Sequence, residues 1–236
     1  MNSNTAQTAS RPIRSYVIRS RMTPAQKKTC AAYMDSGLVI PVPETGAPRP
    51  LNPAEIFPAP KEKYLVDFGF GMGRSTALMA EKNPAAGYIG IEVHVPGVAR
   101  LLWEIHNRRL ENIRVIHGDG FAAVRDMLAA KSIDGFHIFF PDPWPKKRHH
   151  KRRLLTEGFL RLLASRLKTG GYLYIVTDWQ DYAVQVEEAL LGIPELPGVP
   201  APAARVPWRP ETAFEKKGIS AGRSIHEIFR VSEQLS

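Results

Sequence analysis

The string VDFGFGMG places Asp67 two residues ahead of Gly69, with Gly71 and Gly73 at the next alternate positions. Glycines so spaced let a chain turn tightly and let a ligand approach main-chain atoms. Alone, the string fits an ordinary strand-to-helix turn equally well. Glu92, in GYIGIEVH, follows Gly69 by 23 positions, where a carboxylate can accept hydrogen bonds from both ribose hydroxyls. Asp119, in VIHGDG, could take the amino group of an adenine. For both acids the competing reading is a strand-end carboxylate that caps the next helix. In the dinucleotide fingerprint the third glycine comes about five residues after the first, and the loop cradles a pyrophosphate. Here Gly73 comes four after Gly69, and Asp67 opposes a phosphate. A cationic ligand fits better. S-adenosylmethionine, with its ammonium, sulfonium, ribose and adenine, matches Asp67, Glu92 and Asp119.

A second constellation lies in FFPDPWPKKRHHKRR. Pro141, Pro143 and Pro145 fix φ and remove three backbone donors, so the segment is a stiff bend bearing Asp142 and Trp144. The run Lys146, Lys147, Arg148, His149, His150, Lys151, Arg152, Arg153 follows at once. A charge run by itself is usually a solvated face; beside an acid-bearing bend it reads as a phosphate-binding rim. His149 and His150 are adjacent with no third ligand in view, so no metal is expected. Asp178, in TDW, could hold a base edge or cap the helix that follows.

The elements that must position these residues alternate. Apolar runs at Tyr64–Phe68, Tyr88–Ile91, Ile113–His117, Ile133–Phe140 and Tyr172–Thr177 read as strands. Helical patterns follow Gly73 and Pro96 and cover Phe121–Ala130, Leu154–Leu167 and Gln180–Leu191. Strands alternating with helices predict a parallel sheet covered on both faces, with ligands at the carboxyl ends of the strands. Thr23-Pro24 predicts a helix start and Gly37 its stop. Residues 38–62, with seven prolines, read as irregular, and residues 1–22 as a flexible basic arm ahead of one domain, 23–236. After a Pro/Ala-rich connection, Ala213–Ile219 and Ile225–Val231 predict a terminal antiparallel hairpin. The expected class is α/β, a seven-stranded mostly parallel sheet.

Composition agrees. The 236 residues are 44% hydrophobic and 23% charged, which argues against disorder. A lone cysteine, Cys30, excludes an intramolecular disulfide and fits a reducing, cytoplasmic compartment. No uncharged apolar run is long enough for a membrane helix, and the start, MNSNTAQTAS, lacks the apolar core of a signal peptide. A net charge of +9, with six cations ahead of the first acid, Asp35, points to a polyanionic partner.

GFGMG, GIEVHVPGV, FFPDPWPKKRHHKRR, TDW and TAFEKKG together resemble the bacterial tRNA (guanine-N(7)-)-methyltransferases over most of residues 14–232. The resemblance implies a Rossmann-like class I methyltransferase fold, S-adenosylmethionine as cofactor, and methylation of the variable-loop guanosine (position 46) of tRNA by a monomer or homodimer. It implies cofactor contacts at Asp67, Glu92, Asp119 and Asp142, with Asp142 also catalytic. Substrate contacts fall on Lys146, Asp178, Thr212, Ala213, Phe214 and Glu215, and an RNA-contacting loop on Arg148–Arg153. Two positions depart from the family pattern: Glu is usual where Asp67 stands, and Lys where Ala213 stands. Nitrogen 7 of guanine has a free lone pair, so catalysis is expected to be orientation and electrostatics rather than proton removal. The other readings are a methyltransferase of this fold acting on another nucleobase or a protein, a nicotinamide-dependent oxidoreductase, and a non-enzymatic RNA-binding protein.

Overall fold

Helix α1 (Pro24–Tyr33) starts where the sequence predicts, in a capping box: the Thr23 amide donates to Gln26 Oε1 at 2.8 Å and the Gln26 amide to Thr23 Oγ1 at 3.3 Å. Its end falls before Gly37, which takes φ +79° in the turn beyond. The computed structural model describes residues 21–43, 50–198 and 208–233, so the expected basic arm lies outside the described residues except for Arg21 and Met22.

Next come β1 (Val39–Pro41), β2 (Lys63–Phe68), α2 (Arg74–Lys82), β3 (Ala86–Glu92), α3 (Val95–Arg108) and β4 (Ile113–His117). They are followed by the short α4 (Gly120–Ala122), which runs into a π-helical turn over Ala123–Met127, and by β5 (Ile133–Phe139). Then come α5 (Glu157–Arg166), β6 (Leu167–Thr177), α6 (Gln180–Leu191), α7 (Ala213–Ser220) and β7 (His226–Val231). The sheet order is β1-β4-β3-β2-β5-β6-β7, with every neighbour parallel except β6 and β7.

Alternation along the strands sends residues to two apolar layers. Val66, Phe68, Phe136 and Ile138 join the side chains of α5 and α6 in one. Leu65, Tyr88, Ile113 and Val115 join those of α2 and α3 in the other.

Three expectations are corrected. Residues 38–62 are not wholly irregular: Val39–Pro41 adds an edge strand, where a proline without an N–H is tolerated because only one side pairs. The helix expected over Phe121–Ala130 is shorter, and Leu128 bridges Leu51 instead. The tail is not a hairpin of two tail strands. Ala213–Ile219 is helical, because Thr212 and Glu215 form a capping box that opens α7. The C-terminal antiparallel pair is β7 against β6.

β2 lies between β3 and β5, so the strand order reverses there. The carboxyl ends of β2 and β5 flank that switch point, the place where open α/β sheets hold ligands.

Candidate active site

All parallel strands end on one edge, and the chain puts an acid at or just beyond each of five ends: Asp67 in β2, Glu92 in β3, Asp119 after β4, Asp142 after β5 and Asp178 after β6.

Asp67 is 3% exposed, and Thr76 Oγ1 of α2 donates to its Oδ2 at 2.5 Å. Burial is the main cause that raises its pKa to about 7; the Thr76 bond opposes the rise and the nearby Glu92 charge adds to it. A buried carboxylate so disfavoured as an anion suits a cationic ligand, since an ammonium beside it would hold it ionised.

Gly69, Gly71 and Gly73 take φ of +70°, +58° and +69°. A Cβ at Gly69 or Gly71 would meet no atom within 4 Å, so the loop faces open space, whereas one at Gly73 would come 2.6 Å from Leu101 Cβ. Glu92 organises this loop. Its Oε2 accepts from the Gly71 amide at 2.9 Å, and its Oε1 from Val93 and His94 at 2.8 and 2.9 Å. Gly97 of α3 completes the packing, because a Cβ there would lie 2.1 Å from the Gly71 carbonyl oxygen. Asp119 does cap the next helix, its Oδ1 accepting from Ala122 at 3.1 Å. An open glycine loop, a buried acid suited to a cation and acids on adjoining strands fit S-adenosylmethionine.

β5 leads into the bend through two unusual backbones. Phe140 and Trp144 have φ of +53° and +44°, and each precedes a proline. Asp142 lies between them and makes no hydrogen bond or ion pair among the described residues. Its residue surface is exposed, yet the protein around its carboxyl desolvates it enough to raise its pKa.

The basic run forms a 3-10 turn over Lys147–Arg152, with Lys146 ahead of it. Lys146, Lys147, Arg148 and Lys151 are exposed, and His149, His150 and Arg152 half-buried. The Arg152 guanidinium stands 4.9 Å from the Trp144 ring centre. Neighbouring protein and the cations around His149 lower its pKa.

Arg153 departs from the expected RNA contact. It is 3% exposed, and its guanidinium donates to the Pro143 carbonyl at 2.8 Å and to Gln185 Oε1 and Asp181 Oδ2 of α6 at 2.6 Å each. It straps the bend to α6 and presents nothing to a phosphate.

Asp178 does not cap α6, whose N-cap is Trp179. It instead accepts from Arg223 Nε at 2.8 Å, close against Gly218 of α7. Glu215 is likewise engaged. It receives both terminal nitrogens of Arg209, at 2.8 and 2.9 Å, and Arg209 also reaches Glu227 Oε1 at 2.8 Å and Tyr174 Oη at 3.0 Å. Arg209 is 1% exposed. Thr212 caps α7, accepting from the Glu215 amide at 3.0 Å. Ala213 and Phe214 are exposed on its first turn, and the Phe214 ring faces Phe140 at 6.4 Å between centroids.

Thr76, Gly97 and Arg209 were missed in the sequence. Only Gly97, in VPGV next to Glu92, carried a signal that could have found it. Among the described residues no group of three or more His, Cys, Asp or Glu could hold a metal, and no helix is long and apolar enough to cross a membrane.

A family described as putative methyltransferase matches residues 61–228. The chain is 44% identical over 231 residues to a tRNA (guanine-N(7)-)-methyltransferase of Treponema pallidum, covering 89% of this chain and 91% of that one. It is 43% identical over 223 residues to one of Nitrosospira multiformis, covering 92% and 93%. Among solved structures it resembles the 16S rRNA methyltransferase KamB, with a TM-score of 0.53 at 10% identity over 74% of this chain and 89% of that one. That likeness concerns the fold alone.

Proposed function

The chain belongs to the tRNA (guanine-N(7)-)-methyltransferase family and is an S-adenosylmethionine-dependent methyltransferase acting on guanine nitrogen 7 in tRNA; we propose that its target is the variable-loop guanosine and that the carboxyl edge of the sheet is its active site. The observation that carries the site assignment is topological: one edge gathers five acids, and a cationic turn follows the bend after the central strand β5.

Asp67, Gly69, Gly71, Gly73, Glu92 and Asp119 would hold the cofactor. When bound, S-adenosylmethionine supplies a methyl group activated by a sulfonium. Asp67 would pair with the ammonium; Glu92 keeps the glycine loop in shape and would hold the ribose; Asp119 would take the adenine.

Asp142 meets both partners. Its carboxylate accepts hydrogen bonds from the guanine edge or the cofactor amino group, and it stabilises positive charge as that charge builds on the guanine ring. The nitrogen needs no base, so the residues orient rather than move a proton. Lys146, Arg148, His149, His150, Lys151 and Arg152 face the phosphates, while Arg153 fixes the turn that carries them. Asp178 and the first turn of α7, with Thr212, Ala213, Phe214 and Glu215, close the far side. The basic arm over 1–22, ahead of a methyltransferase domain over 23–236, adds phosphate contacts, and the setting is cytoplasmic.

The experiment is incubation of unmodified tRNA with methyl-labelled S-adenosylmethionine and digestion to nucleosides. The label is expected in 7-methylguanosine, and a transcript whose variable-loop guanosine is replaced by adenosine is expected to take up none. Equal labelling of that transcript would overturn the assigned target.

A further inference from the structure

Phe140 is an apolar, non-glycine residue held at φ +53° immediately before a proline. An L side chain avoids this left-handed region, and a residue ahead of proline is further restricted, so the conformation is strained. Core packing does not require it: the ring is only half-buried. The backbone is nevertheless pinned, with the Phe140 amide donating to the Val176 carbonyl at 2.7 Å. This strained residue sits two positions before Asp142.

The ring faces Phe214, which is 62% exposed, with 21° between planes and 6.4 Å between centroids. A flat base between two parallel rings needs about 7 Å from ring to ring, two contacts of ~3.5 Å each. The two rings stand just short of that spacing, and because Phe214 is exposed, a small displacement of its ring opens the gap to a base. α7, which carries Phe214, is held to the body through Arg209, so the second ring is also positioned from a buried anchor.

We propose that Phe140, set by its left-handed backbone against Phe214, is the stacking platform for the purine that is methylated. This rests on the functional reading above and deepens it. Enzymes that act on a base take it out of its stack and hold it against aromatic or apolar side chains. Methylation at nitrogen 7 makes the ring cationic, and an aromatic face attracts a cationic partner. The platform therefore binds the charged ring more tightly than the neutral one, which favours the transition state over the bound substrate.

Phe140→Gly separates platform from strain. Glycine accepts φ +53° without penalty, so the melting temperature is expected to stay level or rise, and S-adenosylmethionine and tRNA affinities to change less than threefold. kcat/KM for tRNA is expected to fall on the order of tenfold or more, with Phe140→Tyr restoring most of it. Inhibition by 7-methylguanosine monophosphate is expected to weaken in Phe140→Gly. Full activity in Phe140→Gly with an active wild type overturns this inference alone, as does loss of cofactor binding or of folding, which would make the position structural. A wild-type chain that forms no 7-methylguanosine overturns the functional reading and this inference with it.

Discussion

Thr76 Oγ1 donates to the buried Asp67 carboxylate at 2.5 Å, joining the first residues of α2 to the end of β2 directly beneath the glycine loop. The bond partly offsets a burial that otherwise disfavours the anion, and it leaves Asp67 with a pKa of about 7. The folded value lies above the ordinary 3.8, so the folded chain holds this proton more tightly than the unfolded one. Stability from the protonated form is fully present below about pH 4 and is lost as pH rises through 7, by up to about 4 kcal/mol. Chemical denaturation between pH 4 and 8 checks this: wild type is expected to lose stability across the window and Asp67→Asn to stay flatter. Cofactor affinity has the opposite slope. An ammonium favours ionised Asp67, so binding is expected to tighten between pH 6 and 8 in wild type and to lose that dependence in Asp67→Asn, as titration calorimetry would read.

Asp142→Ala is expected to lower turnover by roughly 100-fold or more, the scale seen when an electrostatic contact to developing charge is removed. tRNA affinity is expected to stay within about threefold, because the phosphate contacts are elsewhere. Burial raises the Asp142 pKa, so the ionised form is lost at less acidic pH than for an ordinary carboxylate, and the acid limb of the rate profile is shifted upward. Single-turnover rates against pH measure both effects; equal losses in rate and tRNA affinity would contradict the role.

The cations of one run divide. Neutralising Arg148, Lys151 or Arg152 is expected to flatten the salt dependence of tRNA binding by roughly 0.7–0.9 log units for each phosphate no longer neutralised. Arg153→Met is expected to leave that slope unchanged and instead to cost about 2–4 kcal/mol, because three hydrogen bonds of a buried guanidinium disappear. Binding against salt, alongside thermal melting, separates the two classes.

Arg209→Met leaves Glu215 and Glu227 without their buried cation. The expected loss is about 3–5 kcal/mol, with the protease sensitivity of α7 rising. Urea denaturation and limited proteolysis provide the check.

Gly97→Ala places a methyl group 2.1 Å from the Gly71 carbonyl. The glycine loop must shift, so cofactor affinity is expected to fall at least tenfold, read by calorimetry on the folded variant.

The parallel core was legible because its strands are continuous apolar runs separated by helical patterns, and the acids were legible because they close those runs. What the sequence hid was partnership. KKRHHKRR reads as eight equivalent positions, but only the fold shows Arg153 turned inward to Asp181 and Gln185. Ala213–Ile219 reads as a strand by its apolar ends, yet a Thr-x-x-Glu box opens it as a helix, and its glutamate then meets an arginine in a Pro-rich connection. Val39–Pro41 is too short to show a period, and its strand exists only through β4.

The most direct test is where the methyl group lands. Borohydride reduction followed by aniline cleaves RNA at 7-methylguanosine, so treated tRNA resolved at single-nucleotide level reports the modified position. One new break is expected, at the variable-loop guanosine, dependent on both enzyme and S-adenosylmethionine. No break, or a break at another guanosine, would contradict the proposed target.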